Sequence, residues 1–426
     1  MTLAATWHRL TDFVADTWQR TAALWWSQGI SVGAGVAYGK LTALFVTPAV
    51  LGAYNLQLAT TMLLHGIVVS PTIQAYMSAL QQYPPARAKR FYVIVLAVVY
   101  SVALLGTALY AAAHQVWLLG LLMWLSTCLQ GVYLLNSGYF TAYGHIRKLA
   151  LMQALSPLAN LILLVTLISS GFPVTTPALW VCVVLLNGLL WLVSVYATRR
   201  FHVAPVLSPQ PPAHSLAGHL RRYALPLFTQ AIFSWLTNYV DKYIVGLLLT
   251  EAAVGYYSAG YSMGARVAML GAPLVTRLTV SVYALRRASE PPRAALPVLK
   301  KSLLFLWLMG GGVVVLLFIF SDQIGALFLS SRYEPSFGLI PVVAVAFLFL
   351  SSTQLVDSSF LAYEKTTYIL FYSVSTAVSN IGLNFLLIPR YGISGAAFAM
   401  ALSMAFQFTL VLGLYRRLLA TSVTPS

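Results

Sequence analysis

LFVTPAVLGAYN (Leu44–Asn55) returns later in the chain as LLLTEAAVGYYS (Leu247–Ser258). Thr47, Ala49, Gly52 and Tyr54 recur as Thr250, Ala252, Gly255 and Tyr257, each 203 residues further on. A second phrase, Phe140-Thr141-Ala142-Tyr143 with Asn160, recurs as Phe360-Leu361-Ala362-Tyr363 with Asn380, now 220 residues further on. The difference of 17 residues fits a longer internal loop in the second half. A chain written twice in this way is one bundle built from two like halves. In an apolar chain, repeated halves mark a transporter whose substrate sits between them.

The chain is apolar throughout. Its 426 residues are 59% hydrophobic and only 8% charged, with a mean hydropathy of +0.81. A soluble protein of this composition could not cover its surface with polar groups. Runs near the length of a bilayer span predict a polytopic membrane protein, and helices are required because lipid offers the backbone no hydrogen-bond partners. The net charge of +16 would suggest nucleic acid in a soluble protein. Here it reads as cationic cytoplasmic loops, with no nucleic-acid partner. Cys128 and Cys182 both fall inside apolar runs and form no metal spacing, so neither a disulfide nor a metal site is expected.

Twelve spans are expected, at 25–46, 56–80, 92–113, 116–139, 150–169, 178–198, 225–248, 255–284, 302–320, 338–362, 367–388 and 395–415. The expected fold is all-α and polytopic, with about twelve transmembrane helices in two pseudo-twofold related six-helix lobes. The N-lobe is 25–198 and the C-lobe 225–417. Ahead of them, Trp7, Leu10, Val14 and Trp18 stand at helical spacing and predict an interfacial segment over 1–24. Arg9, Asp12, Asp16 and Arg20 interrupt any signal-peptide core. The proline-rich stretch 199–224 reads as an extended linker, and 418–426 as a tail.

Basic residues sort by side. With a cytoplasmic N-terminus, nineteen of the 25 Lys and Arg fall inside: Arg9, Arg20, Arg87, Lys89, Arg90, Arg147, Lys148, Arg199, Arg200, Arg221, Arg222, Arg286, Arg287, Arg293, Lys300, Lys301, Lys365, Arg416 and Arg417. Only Arg332 and Arg390 fall outside. The asymmetry places both termini and the 199–224 linker in the cytoplasm.

The remaining charges lie within spans, where a charged group faces a cavity, a partner or the interface. Lys40 reads either as a cavity cation or as a side chain snorkelling to the outer interface, since Thr47 is only about 10 Å further along the helix. Asp241 and Lys242 are adjacent in TNYVDKYIVG, and adjacent helix residues point about 100° apart. Asn238, three residues before Asp241, shares its face. Asp241 is read either as a structural pair with a neighbouring helix or as a substrate or proton group. Arg266 and Arg277 are eleven residues apart, close to three full turns, so both lie on one face, with Pro273 between them. Arginine stays charged at any depth and can grip a phosphate with two parallel bonds. Arg277, nearer the cytoplasm, reads equally as a headgroup anchor. Asp357 either pairs with a base or faces the inner vestibule.

Soluble-enzyme signatures are missing: there is no phosphate-cradling glycine loop, no HExxH and no nucleophile elbow. The reading is a transporter, not an enzyme, and it needs no cofactor.

NYVDKYIVGLLLTEAAVGYYSAGYSMGARV resembles the seventh-to-eighth helix region of bacterial polysaccharide flippases, the Wzx-type members of the MOP superfamily. GAGVAYGKLTALFVTPAVLGAYNL resembles their first helical hairpin, and IPRYGISGAAFAMALS their last external turn and final helix. The resemblance implies a multi-pass protein of the bacterial inner membrane, serving cell-surface polysaccharide biosynthesis. It implies two six-helix lobes about an axis along the membrane normal. Its implied cargo is undecaprenyl-diphosphate-linked oligosaccharide, carried from the cytoplasmic to the periplasmic leaflet by alternating access. O-antigen and exopolysaccharide repeat units both pose this transport problem. Membrane lipids, and polysaccharide polymerase and chain-length machinery, are its implied partners. By position in the motif, Lys40 and Arg266 would hold the diphosphate. Arg277, Lys242 and Asn238 complete the expected substrate-binding set, and Asp241 and Asp357 are the candidates for ion coupling or a structural pair. Two rivals stand beside this reading. A cation-coupled multidrug antiporter of the same superfamily would need a central acid without neighbouring cations, and only Asp241 is placed for it. A membrane enzyme using the same lipid carrier would need acid–base groups gathered at one face, whereas Glu251, Asp322 and Glu334 are scattered over short external segments.

Overall fold

The computed structural model describes residues 26–80, 83–142, 146–200, 215–287, 290–363 and 365–421. The expected interfacial segment 1–24, most of the linker and the last residues of the tail lie outside the described residues. Helix α1 covers 26–45. It is followed by α2 (Pro48–Leu64), α3 (Ser70–Ala79), α4 (Pro85–His114), α5 (Trp117–Ala142), α6 (Ile146–Ser169), α7 (Thr176–Arg200) and α8 (Leu216–Leu248). The second half continues with α9 (Glu251–Gly264), α10 (Ala268–Arg287), α11 (Leu296–Ile319), α12 (Ser321–Phe328), α13 (Leu339–Ala362), α14 (Thr366–Tyr391) and α15 (Ile393–Thr421). No strand occurs among the described residues. The protein is an all-α polytopic membrane protein.

Each of the twelve expected spans has its helix. Ten are long and apolar enough to cross a bilayer by composition alone; α1 and α8 complete the set. α8 falls short because Gln230, Asn238, Asp241 and Lys242, with Thr229, Ser234 and Thr237, dilute its apolar residues. The helices begin earlier than the apolar runs predicted, at Pro48 rather than 56 and at Glu251 rather than 255. Their starts are set by caps that lie outside any apolar window: Thr47 Oγ1 accepts the Val50 N–H and Thr250 Oγ1 accepts the Ala253 N–H. Two long helices are interrupted. A π turn over His65–Val69 separates α2 from α3, and a 3₁₀ turn over Ala265–Val267 separates α9 from α10. The short α12 was not foreseen from the sequence.

The described chain forms two compact units that are interleaved in sequence. Unit 1 holds residues up to Gly33, Gly260–Leu327 and everything from Glu334; unit 2 holds Ala34–Ala259 together with Phe328–Tyr333. In unit 2, α8 packs against the first-half helices, with Leu216 and Leu220 in one core with Ile73, Tyr76, Tyr92 and Leu135. In unit 1, α13 is the central helix, 17 of its 24 residues buried as it packs against α10, α11 and α15. Outer helices show lipid what a soluble protein would hide: Leu105 on α4 is 62% exposed. Such a face is stable only in hydrocarbon.

Close approach in unit 1 depends on glycine. A Cβ on Gly260 would sit 2.8 Å from the Ser336 carbonyl oxygen, and one on Gly264 would sit 2.6 Å from the Ile340 oxygen and 2.7 Å from Val343 Cβ. The pair is a GxxxG step that lets α9 lie against the start of α13. We expect Gly264→Val to remove about 1–3 kcal/mol of stability by overpacking a backbone that cannot retreat. A lower thermal unfolding midpoint in detergent is the readout. Gly311→Val, which faces open space, should leave the midpoint in place.

Candidate functional site

The candidate site residues divide between the units. Lys40, Asn238, Asp241 and Lys242 belong to unit 2; Arg266, Arg277 and Asp357 belong to unit 1.

Arg266 stands in the 3₁₀ turn between α9 and α10. It is half-buried, and its Nη1 donates to the Val32 carbonyl at 3.2 Å. The turn interrupts the regular winding of the helix. It also changes the geometry read from spacing. Arg266 stands inside the turn, so only the two steps from Arg266 to Ala268 wind more tightly, adding about 40° to the rotation that a regular helix would place between Arg266 and Arg277. Arg277, also half-buried, lies on α10 proper.

On α8, Asp241 and Lys242 are both buried, at 1% and 5% exposure. Asp241 is engaged at both oxygens: Oδ1 accepts the Lys242 backbone N–H at 2.8 Å, and Oδ2 accepts the hydroxyl of Tyr257 on α9. The neighbouring-helix partner considered for Asp241 is thus a phenol rather than a cation. Lys242 Nζ lies 5.2 Å from the centre of the Tyr239 ring, a cation–π placement. Asn238 turns its amide onto its own helix, donating to the Ser234 carbonyl at 2.6 Å. Beside these groups runs an aromatic row that sequence reading passed over. Trp235 stacks near-parallel on Tyr239 at 6.3 Å and tilts against Tyr243 at 5.6 Å. Trp235 Nε1 donates to the Ala59 carbonyl at 2.8 Å, and Tyr243 Oη donates to the Leu56 carbonyl at 3.1 Å. The spacing 235, 239, 243 was the available signal, since it repeats at four residues.

Lys40 is half-buried at the far end of α1 and donates to the Leu329 carbonyl. Asp357, on α13, accepts the Tyr372 hydroxyl at Oδ2, at 2.7 Å. Its Oδ1 is buried with no hydrogen-bond partner among the described residues. The two acids therefore differ: Asp241 has both oxygens engaged, whereas Asp357 keeps one without a partner among the described residues.

Comparison with known proteins gives this geometry its family. A family model described as "Polysaccharide biosynthesis protein" matches residues 89–338, which is more than half of the chain. The chain belongs to the polysaccharide biosynthesis protein family. That agrees with the flippase resemblance read from the motifs around α8 and α9. Two curated relatives of this polysaccharide biosynthesis protein are distant. It is 23% identical over 195 residues to a "Putative O-antigen transporter" of Shigella flexneri, covering 44% of each chain. It is 22% identical over 251 residues to a "Probable low-salt glycan biosynthesis flippase Agl15" of Haloferax volcanii, covering 59% of this chain and 52% of that one. The matches thus span about half the length of these relatives. Among solved structures, its fold resembles "Lipid II flippase MurJ, inward closed conformation" with a TM-score of 0.73 at 12% identity, covering 95% of this chain and 90% of that one. It also resembles the inward-facing conformation of a multidrug resistance MATE family transporter of the MOP superfamily, with a TM-score of 0.70 at 14% identity, covering 93% and 96%.

The Asp241–Tyr257 bond is the best-defined electrostatic contact in unit 2. Tyr257→Phe should leave a buried carboxylate short of a donor and destabilise the fold by about 1–3 kcal/mol. Thermal unfolding in detergent measures it, and an unchanged midpoint would mean that water replaces the phenol.

Proposed function

We propose that this protein is a flippase. In this reading it moves undecaprenyl-diphosphate-linked oligosaccharide from the cytoplasmic to the periplasmic leaflet of a bacterial inner membrane, with both termini cytoplasmic. The cargo then feeds polysaccharide polymerase and chain-length machinery. The observation that carries the reading is Arg266, a guanidinium kept half-buried at an interruption of a membrane helix. A permanent cation is costly at that depth and serves an anionic cargo. Its planar fork matches two oxygens of a phosphate. Family membership and the names of the two relatives point to glycan cargo.

Roles follow from the local geometry. Arg266 grips the diphosphate, with Arg277 receiving it nearer the cytoplasm. Lys242 and Asn238, beside the aromatic row of α8, contribute to the glycan side. The sugar head crosses by alternating access while the lipid tail stays in the bilayer. Asp357, with one oxygen open, is the better of the two acids for exchanging a proton or a small cation; Asp241 is structural. The MATE-like fold supports a drug antiporter in architecture only. The cationic groups Arg266 and Lys242 favour an anionic headgroup over a cationic drug.

The test is transbilayer movement of a lipid-diphosphate oligosaccharide in proteoliposomes. Arg266→Ala should lower movement about tenfold or more, the worth of one charge-assisted hydrogen bond. Arg266→Lys, which keeps charge but not the fork, should fall between. Equal rates for all three would remove the gripping role.

A further inference from the structure

Two polar residues buried in unit 2 are not demanded by packing. Asn136 on α5 and Ser194 on α7 are 3% and 0% exposed. At the offset of the second repeat, 220 residues further on, stand Val356 on α13 and Leu414 on α15. Both are buried members of one apolar core. The second copy of the repeat thus fills these positions with hydrocarbon. Burying an amide and a hydroxyl costs free energy unless each is bonded, and here the bonds lead outward. Ser194 Oγ donates to the Trp191 carbonyl at 2.7 Å and accepts from Asn136 Nδ2 at 3.0 Å. That fixes the amide, whose Oδ1 accepts from Lys89 Nζ of α4 at 3.3 Å. The buried pair is a mount for one exposed ammonium.

A second cation stands beside it. Arg199, in the last turn of α7, lies close enough to Lys89 for the two like charges to repel. α4 adds to the charge, since it starts at Pro85 with no capping side chain and no acid in its first turn. No carboxylate of unit 2 is placed to answer. Residues 34–259 and 328–333 contain only two, Asp241 and Glu251. Asp241 is engaged by Tyr257 and the Lys242 backbone. Glu251 is near enough to act on Tyr110, which follows Lys89 by 21 residues on α4, about 30 Å along the helix. Toward the membrane the same surface turns apolar. α4 and α7 both pack on α5, which floors the space between them. Val93, one turn in from Lys89, and Leu192, two turns in from Arg199, are both exposed. Each cation therefore tops an apolar strip of its own helix.

We propose that this end of α4, α5 and α7 binds the phosphate of an anionic membrane lipid, with Lys89 and Arg199 as its grips and Asn136 positioning Lys89. The orientation drawn from the basic loops puts the site in the cytoplasmic leaflet. The inference does not depend on the cargo: such a lipid docks here whether or not glycolipid is carried. Basic pockets between membrane helices on this side recognise acidic headgroups. An ammonium and a guanidinium together suit one phosphate, which offers several acceptor oxygens. Acyl chains account for the strips at Val93 and Leu192. Inorganic phosphate shares the headgroup chemistry but has nothing to lay on them.

The test is the unfolding midpoint of the whole chain in a neutral detergent, titrated with phosphatidylglycerol. The midpoint should rise as the lipid binds the folded state. Lys89→Gln and Arg199→Gln should each need about tenfold more lipid for the same rise, the worth of one charge-assisted bond. Asn136→Val, which installs the residue of the second repeat, should hold its midpoint without lipid and lose part of the response. Lys300→Gln, which removes an exposed cation near the start of α11, should respond like the parent. If Asn136→Val does not fold, the two exposed Gln variants carry the comparison. An equal response in the parent and both Gln variants would overturn the site. An equal loss in Lys300→Gln would reduce it to net charge, and an equal rise with phosphatidylcholine would reduce it to chain solvation; either sinks the proposal. Inorganic phosphate at matched concentration should leave the midpoint in place, and a matching rise would take the lipid out of the site.

Discussion

A backbone carbonyl in hydrocarbon has no water to turn to, and the rest of this fold is arranged around that constraint. It explains why the described chain is helical, and also where its helices are allowed to stop. Thr47 and Thr250 cap the starts of α2 and α9. Ser330, Tyr333 and Lys40 serve helix ends elsewhere. Within helices, Thr61 and Thr107 return their hydroxyls to carbonyls four residues back, at 3.0 Å in each case. Even the aromatic row of α8 is tied by its polar tips to carbonyls of α2. Polar side chains in this protein serve mostly the backbone, and those that do not stand out.

That sorting separates the charges. Asp241 is absorbed by Tyr257 and by its own helix, whereas Asp357 keeps an oxygen open. Arg266 stands where regular winding fails. The same architecture is shared with lipid flippases and drug transporters alike, so the fold by itself does not choose a cargo. The choice rests on a few side chains at breaks and seams.

The sequence disclosed the spans, because apolar runs are local signals. It disclosed less about edges, since Thr47-Pro48 and Thr250-Glu251 cap helices from outside the apolar windows. The 3₁₀ turn that carries Arg266 leaves no mark in hydropathy, so spacing alone does not show the tighter winding there. Gly52 and Gly255 were visible as a repeat, yet nothing local says that each packs against the other's helix. The pairing of residues 329–333 with the end of α1 was least legible of all. Its acceptors at Ala43, Val46 and Leu329 are main-chain carbonyls, and every residue has one, so no residue type announces the pairing.

The interleaving of the units carries a consequence for biogenesis. Synthesis runs from the N-terminus, and early segments pack first. By Ala259 the ribosome has delivered all of unit 2 except Phe328–Tyr333, and with it both Gly52 and Gly255. Unit 1 waits for α15, whose Val411, Leu414 and Tyr415 share a core with Val267 and Leu278. Both repeats are therefore synthesised some seventy residues before Phe328–Tyr333, the segment that completes their unit. Assembly order is written into which stretch of chain closes which unit.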